Sequence, residues 1–189
     1  MKSTFSVVAN ATDTRVIEQT AKFIRETTAS AITKSLVSDL RIRGIENAKR
    51  KLPAVCWGAK FKNGHREAGE NGANIVPTGL CFLDIDHIAG RGESASEGRR
   101  QVYDYYCQYI EGKEAENGIV HVQVSPSGKG LHIVFLMPDG CGTIEAGQRR
   151  MARQLALPQY DDKCKDMGRM LFLSRLEDTL YDALDCLTE

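Results

Sequence analysis

Asp84 and Asp86 stand two residues apart at the end of the run Leu80-Cys81-Phe82-Leu83-Asp84-Ile85-Asp86. On an extended strand such residues point the same way, which brings their carboxylates close together. Two carboxylates so placed repel unless a cation sits between them, making Mg²⁺ or Mn²⁺ the expected cofactor. Acids that merely end a strand at the surface are the plainer alternative, but the apolar residues immediately upstream suit a strand that leaves a core and enters a site. A second constellation is Ser125-Pro126-Ser127-Gly128-Lys129-Gly130-Leu131-His132. Its glycines admit a polyanion to the backbone, and Ser127, Lys129 and His132 supply donors suited to a triphosphate. It lacks the GK[ST] ending of a P-loop. A third is Asp161-Asp162-Lys163-Cys164-Lys165-Asp166-Met167-Gly168-Arg169, where an acid could complete a site for two cations and Arg169 could pair with phosphate.

The elements that must position these residues follow from hydrophobic period. Leu80–Asp86 reads as a strand buried on both faces. Ser94, with Glu97 in capping-box spacing, opens a helix carrying Val102, Tyr105, Tyr106 and Tyr109. Val120, Val122 and Val124 alternate with polar residues at strand period, and the turn Pro126–Gly130 leads into a strand from Leu131 to Met137. Thr143–Leu157 reads as a helix stopped before Pro158, and Met170–Leu173 as a last strand. The order is β, α, β, β, α, β, which predicts an α+β fold with a ferredoxin-like or RRM-like core. In that arrangement the first and third strands are central neighbours and the fourth flanks the first, so Asp84, Asp86, His132, Asp161 and Asp162 converge on one sheet edge.

Upstream, Phe5–Val8 reads as a strand, Ile17, Ala21 and Ile24 share a helical face, Ile45–Lys51 forms a short basic helix, and Trp57–Pro77 is loop or irregular hairpin. The expected organisation is one domain: an N-terminal αβ elaboration over 1–78, a catalytic core over 79–175 and a tail over 176–189. Lysine plus arginine and aspartate plus glutamate both total 25, so net charge points to no partner. Locally, however, Arg41, Arg43, Lys49, Arg50, Lys51, Lys60, Lys62 and Arg66 face the single acid Glu46. Of these, Lys60, Lys62 and Arg66 are candidate contacts to single-stranded DNA, the alternative being a solvated surface. Six scattered cysteines without a CxxC pair argue against a zinc knuckle or a disulfide scaffold, and no apolar run reaches the length of a membrane span. A reducing cytoplasm is the expected compartment.

Taken together, LDID, SPSGKGLH and the D-D-x-C-x-D-x-x-R-x-x-F-x-S stretch resemble, in order, the three motifs of the archaeo-eukaryotic primase superfamily. Within it they are most similar to the VirE N-terminal-like primase-polymerases of bacterial mobile elements, with Lys51-Leu52-Pro53 and Phe61 matching upstream features between about Lys49 and Ser174. The resemblance implies a DNA primase or primase-polymerase that makes primers on single-stranded DNA. It implies Asp84 and Asp86 as metal ligands, Ser127 and His132 as phosphate ligands, and Asp161 as the third metal acid, with Asp162 a competitor. It also implies a helicase-type ATPase; no Walker A sequence occurs in the chain, so that partner would be a separate protein or lie on a longer chain. Two rival readings remain: a non-catalytic single-stranded nucleic-acid-binding module stacking bases on Trp57 or Phe61, and a metal-dependent nuclease.

Overall fold

Runs rich in β-branched and aromatic residues favour strands, and here they build two four-stranded antiparallel sheets that share one hydrophobic cluster. The computed structural model describes residues 3–90 and 93–187. In chain order the elements are β1 (Thr4–Val8), β2 (Ile17–Thr20), α1 (Ala21–Ala29), α2 (Ala31–Ile42), β3 (Ala54–Cys56), β4 (Ala59–Phe61) and β5 (Ile75–Pro77). They continue with β6 (Leu80–Ile85), α3 (Ala95–Tyr109), β7 (Ile119–Val124), β8 (Leu131–Leu136), α4 (Ile144–Gln154), β9 (Leu171–Phe172) and β10 (Thr179–Asp182). The larger sheet runs β10-β7-β8-β6 and the second β2-β1-β3-β9, while β4 and β5 form a separate hairpin. The fold is α+β, as the pattern predicts.

Local signals act where they stand in the chain. The Ser94 hydroxyl accepts from the Glu97 N–H at 3.2 Å and caps α3, and Thr143 caps α4 through the Ala146 N–H at 3.2 Å. The basic segment is a 3-10 turn, Glu46–Lys51. Ile17, expected on a helical face, instead lies exposed on β2, where pairing with β1 overrides the helical spacing and Thr20 caps α1.

The last strand departs from the expected place. Residues 171–172 form β9, but it pairs with β3 in the second sheet, and Leu173 N–H donates to the Pro53 carbonyl at 2.8 Å. The fourth place in the larger sheet belongs to β10, drawn from the stretch expected to be a tail, and it flanks β7. β6 is therefore an edge strand and not a central one. Apolar pattern specifies that a strand exists; long-range pairing selects its neighbour.

The larger sheet lies between α4 and the second sheet. On one face the Cys81 thiol meets the Ile144 carbonyl of α4 at 3.6 Å. On the other, Trp57 stacks on His121 with ring centroids 5.5 Å apart, and Phe5 of β1 meets Trp57 edge-on at 5.3 Å. Trp57 and Phe61 are both buried, so the reading in which they stack on bases is corrected: their rings are spent on the interior.

Candidate functional site

A polar row crosses the larger sheet near the C-terminal end of β6. Asp84 pairs in register with His132 of β8, and His132 with Gln123 of β7, so all three side chains share the face turned to the second sheet. The Gln123 amide is oriented at both ends: its nitrogen donates to the Phe172 carbonyl at 2.9 Å, and its oxygen accepts from the Ser174 N–H at 3.3 Å. That nitrogen also lies 3.1 Å from His132 Nδ1, which must then accept. The ring proton is left on Nε2, facing Asp84 Oδ1 at 3.6 Å, too far for a hydrogen bond. Asp84 Oδ1 is buried with no hydrogen-bond partner.

Burial governs the protonation of this row. It pulls the His132 imidazole down to about 3, with Lys49 adding to the effect, so the ring is neutral at pH 7. It pushes the Asp84 carboxyl up, helped by Asp161 and opposed by Lys49 and Arg169. Asp86, just past the end of β6, is raised by burial and then by the Asp84 charge. Lys49, counted in the sequence only as part of a basic stretch, is the cation acting on Asp84, Asp86 and His132 alike.

The acid loop is stitched to the free edge of β6. Asp161 N–H donates to the Asp84 carbonyl at 2.8 Å. Fully buried Gln148 of α4 bridges the Phe82 carbonyl at 3.0 Å and the Cys164 carbonyl at 2.8 Å. Because β6 is an edge strand, these contacts occupy acceptors that a further strand would otherwise take. Asp161 Oδ1 accepts from the Lys163 N–H at 2.9 Å and Oδ2 from the Cys164 thiol at 3.2 Å. Burial works to raise its pKa, but these bonds and the Arg169 charge outweigh that and hold it below the usual carboxylate range. Asp161 and Asp86, with His87, Gln159, Tyr160 and Lys163, line a cleft of about 400 Å³. Asp162 and Arg169 are exposed on the same loop.

The glycine hairpin abuts this cleft through its backbone. Ile88 and Ala89 N–H groups donate to the Lys129 carbonyl at 2.9 and 3.3 Å. A Cβ on Gly130 would collide with the Ile85 carbonyl oxygen, so only glycine lets the hairpin sit against the end of β6. Ser127 Oγ pairs with Ser125 Oγ at 3.0 Å and accepts from the Lys129 N–H at 3.3 Å. Neither Ser127 nor Lys129 is among the residues lining the cleft, and His132 lies behind Asp84, 4% exposed. Arg41 holds the hairpin from beneath, donating to the Ser125 and Pro126 carbonyls at 2.9 and 2.8 Å.

The three candidate DNA contacts lie on or beside the β4–β5 hairpin. Lys60 lines a hollow with Gly79 and Leu80, at the end of β6 remote from Asp84. Lys62 Nζ donates to the Ala73 carbonyl at 2.8 Å, and Arg66 Nε is buried without a hydrogen-bond partner. The structure therefore brings Asp84, Asp86, His132 and Asp161 together and leaves these three outside the group.

Fold and site define an α+β protein with a carboxylate-lined cleft at the end of an edge strand. Residues 47–181 match the family model of the BT4734-like N-terminal domain, well over half of the chain, and the protein belongs to that family. This corrects the resemblance to the primase superfamily and its VirE N-terminal-like members. The motifs behind it are a few residues each, and acids at a strand end beside a glycine hairpin are an arrangement that different families can share. No curated protein and no solved structure matches the chain. No helix among the described residues is long and apolar enough to cross a membrane.

Among the described residues, no three His, Cys, Asp or Glu side chains stand close enough to enclose an ion. The donor chemistry of Asp84 and Asp86 nonetheless fits a hard divalent cation: two carboxylates at strand spacing, one with a buried oxygen lacking any partner.

Proposed function

We propose that the cleft is the centre of a metal-dependent nucleotidyltransferase acting on a nucleoside triphosphate. The observation that carries this reading is the Asp84 carboxylate, which has a buried oxygen left without a partner two residues before Asp86, itself on the wall of a cleft shared with Asp161. An unpaired buried carboxylate is costly, and a divalent cation would remove that cost. Asp84 and Asp86 would hold Mg²⁺ or Mn²⁺, with Asp161 as a further carboxylate on the same cleft wall as Asp86, and the ion would supply Lewis-acid activation of a phosphate and an attacking hydroxyl. Lys163 on the cleft wall, with Lys49 and Arg169 acting on the acids, offsets phosphate charge. His132, itself fixed by Gln123, sets its Nε2 3.6 Å from Asp84 Oδ1 and fills the space beside that carboxylate. Primer synthesis on single-stranded DNA is the narrower form of this reading.

A metal-dependent nuclease is the second reading, favoured by the absence of Ser127 and Lys129 from the cleft wall. Titration of Mn²⁺ by calorimetry, with and without a non-hydrolysable nucleoside triphosphate, separates the two. A nucleotidyltransferase binds metal and triphosphate cooperatively, whereas a nuclease binds metal alone; binding of neither would refute both. Incorporation of labelled nucleotide on single-stranded DNA, with and without primer, then tests the narrower form.

A further inference from the structure

A second cavity, of about 620 Å³, lies between α2, α3 and the segment after β9, and its chemistry differs from that of the acidic cleft. Three guanidinium groups converge there on one carboxylate. Asp178 is 0% exposed; it takes Arg41 at 2.9 Å, Arg99 at 3.1 Å and Arg175 at 3.2 Å, and accepts from the Ser174 hydroxyl at 2.7 Å. A carboxylate offers about four lone-pair sites, and these partners fill them.

The charge balance leaves an excess. Three cations meet one anion, while neighbouring Arg100 is matched by Glu97 at 2.9 Å and Lys34 by Glu177 at 2.7 Å. Two positive charges thus remain at the cluster. Arg41 is buried and fully used: besides Asp178 it donates to the Ser125 and Pro126 carbonyls. Arg99 and Arg175 are not, since their side chains are 43% and 27% exposed and both line the cavity. Like charges held this close repel, and an anion between them would relieve the repulsion. Beside them the lining turns apolar and aromatic, with Tyr103 one turn along the Arg99 face of α3, Ile42 from α2 and Leu180 from β10. The cavity is within the size range of small-molecule sites.

We propose that this pocket binds a nucleotide unit, its phosphate on Arg99 and Arg175 and its base against Tyr103. Planar guanidinium groups suit phosphate oxygens, and an exposed ring beside them suits a base of any sequence. The unit could be a free nucleotide or one residue of a strand. Binding there needs no metal and so stands apart from the chemistry proposed for Asp84 and Asp86.

The test uses the full chain in EDTA, following a fluorescent deoxythymidine oligomer by anisotropy and competing it with unlabelled oligomer, thymidine monophosphate or inorganic phosphate. Arg99→Gln with Arg175→Gln should weaken oligomer binding at least tenfold and reduce its log-log salt slope by about 0.7 per lost contact. Tyr103→Ala, a change at a half-exposed residue, should weaken it by roughly fivefold to a hundredfold. EDTA keeps the Asp84 and Asp86 carboxylates free of metal throughout, so oligomer binding lost in the arginine variants reports on this pocket, while the Mn²⁺ titration reports separately on the catalytic reading. Competition by the monophosphate assigns a free-nucleotide pocket, and competition by oligomer alone assigns a strand site; both uphold the proposal. Thermal unfolding of each variant checks that it folds, and Arg99→Lys with Arg175→Lys, which keeps the charge, should recover part of the affinity if the double glutamine variant is unstable. Unchanged affinity in the arginine and tyrosine variants, or competition by inorganic phosphate as strong as by the monophosphate with Tyr103→Ala silent, would overturn it.

Discussion

At the scale of single residues the decisive group is Asp84. Its charge is buried without a hydrogen-bond partner on Oδ1, so the metal-free protein pays for the carboxylate. Asp84→Asn keeps the shape and removes that charge. It should raise the melting temperature without added metal, by about 2–4 °C for each kcal/mol regained, and, if the proposed metal site exists, Mn²⁺ should stabilise the parent and not the variant. A scan with and without Mn²⁺ reads both effects; equal Mn²⁺ shifts in the two proteins would remove Asp84 from the site. His132 makes a different prediction from that of a phosphate ligand. Because its Nε2 faces Asp84 from behind, His132→Ala should weaken Mn²⁺ and triphosphate binding together. Loss of triphosphate affinity with Mn²⁺ affinity intact would instead place the imidazole on the phosphates. Gly130→Ala should destabilise by about 1–3 kcal/mol in denaturant unfolding, since the new methyl meets the backbone at Ile85, which cannot turn aside as a side chain would.

At the scale of elements, contacts between strands and helices set what the motifs can do. The stack of His121 on Trp57 illustrates a cost: both imidazole nitrogens are buried without partners. Burial pulls His121 down to about 4, against the Asp182 charge and with His132 and Arg25 adding to the depression. A base depressed in the folded state binds more protons once unfolded, so stability falls as pH drops from the ordinary value of 6.5 toward about 4. His121→Phe should therefore flatten the acid limb of the stability curve, by on the order of 1–3 kcal/mol across that window. Parallel curves for parent and variant between pH 7 and 4 would show that the ring titrates normally. The glycine hairpin shows the same dependence on distant elements. Its turn was legible from its residues, but Arg41 of α2, which holds it through two carbonyls, read as one more member of a basic stretch.

At the scale of the whole molecule, the segment after residue 175 closes the structure. It supplies Asp178, which gathers three arginines, and β10, the edge of the larger sheet. Truncation after Arg175 would leave Arg41 buried without its carboxylate and expose β7, so the shortened chain should lose cooperative thermal unfolding; a sharp transition near that of the parent would contradict this. The sequence by itself determined the α+β class, the buried strand ending in acids, the capped start of α3, the presence of the helix α4, and the turn that leads into β8. Each is a local matter of period, cap or turn chemistry, written in neighbouring residues. Only the tertiary structure decided that β6 is an edge strand, that β9 joins the second sheet while β10 joins the first, and that Lys49, Gln123 and Gln148 serve the site. It also decided that Trp57 and Phe61 are interior and that Arg41 is a buried anchor. A charged or aromatic residue reads the same in sequence whether it faces water or a partner a hundred residues away, and only long-range packing chooses between the two.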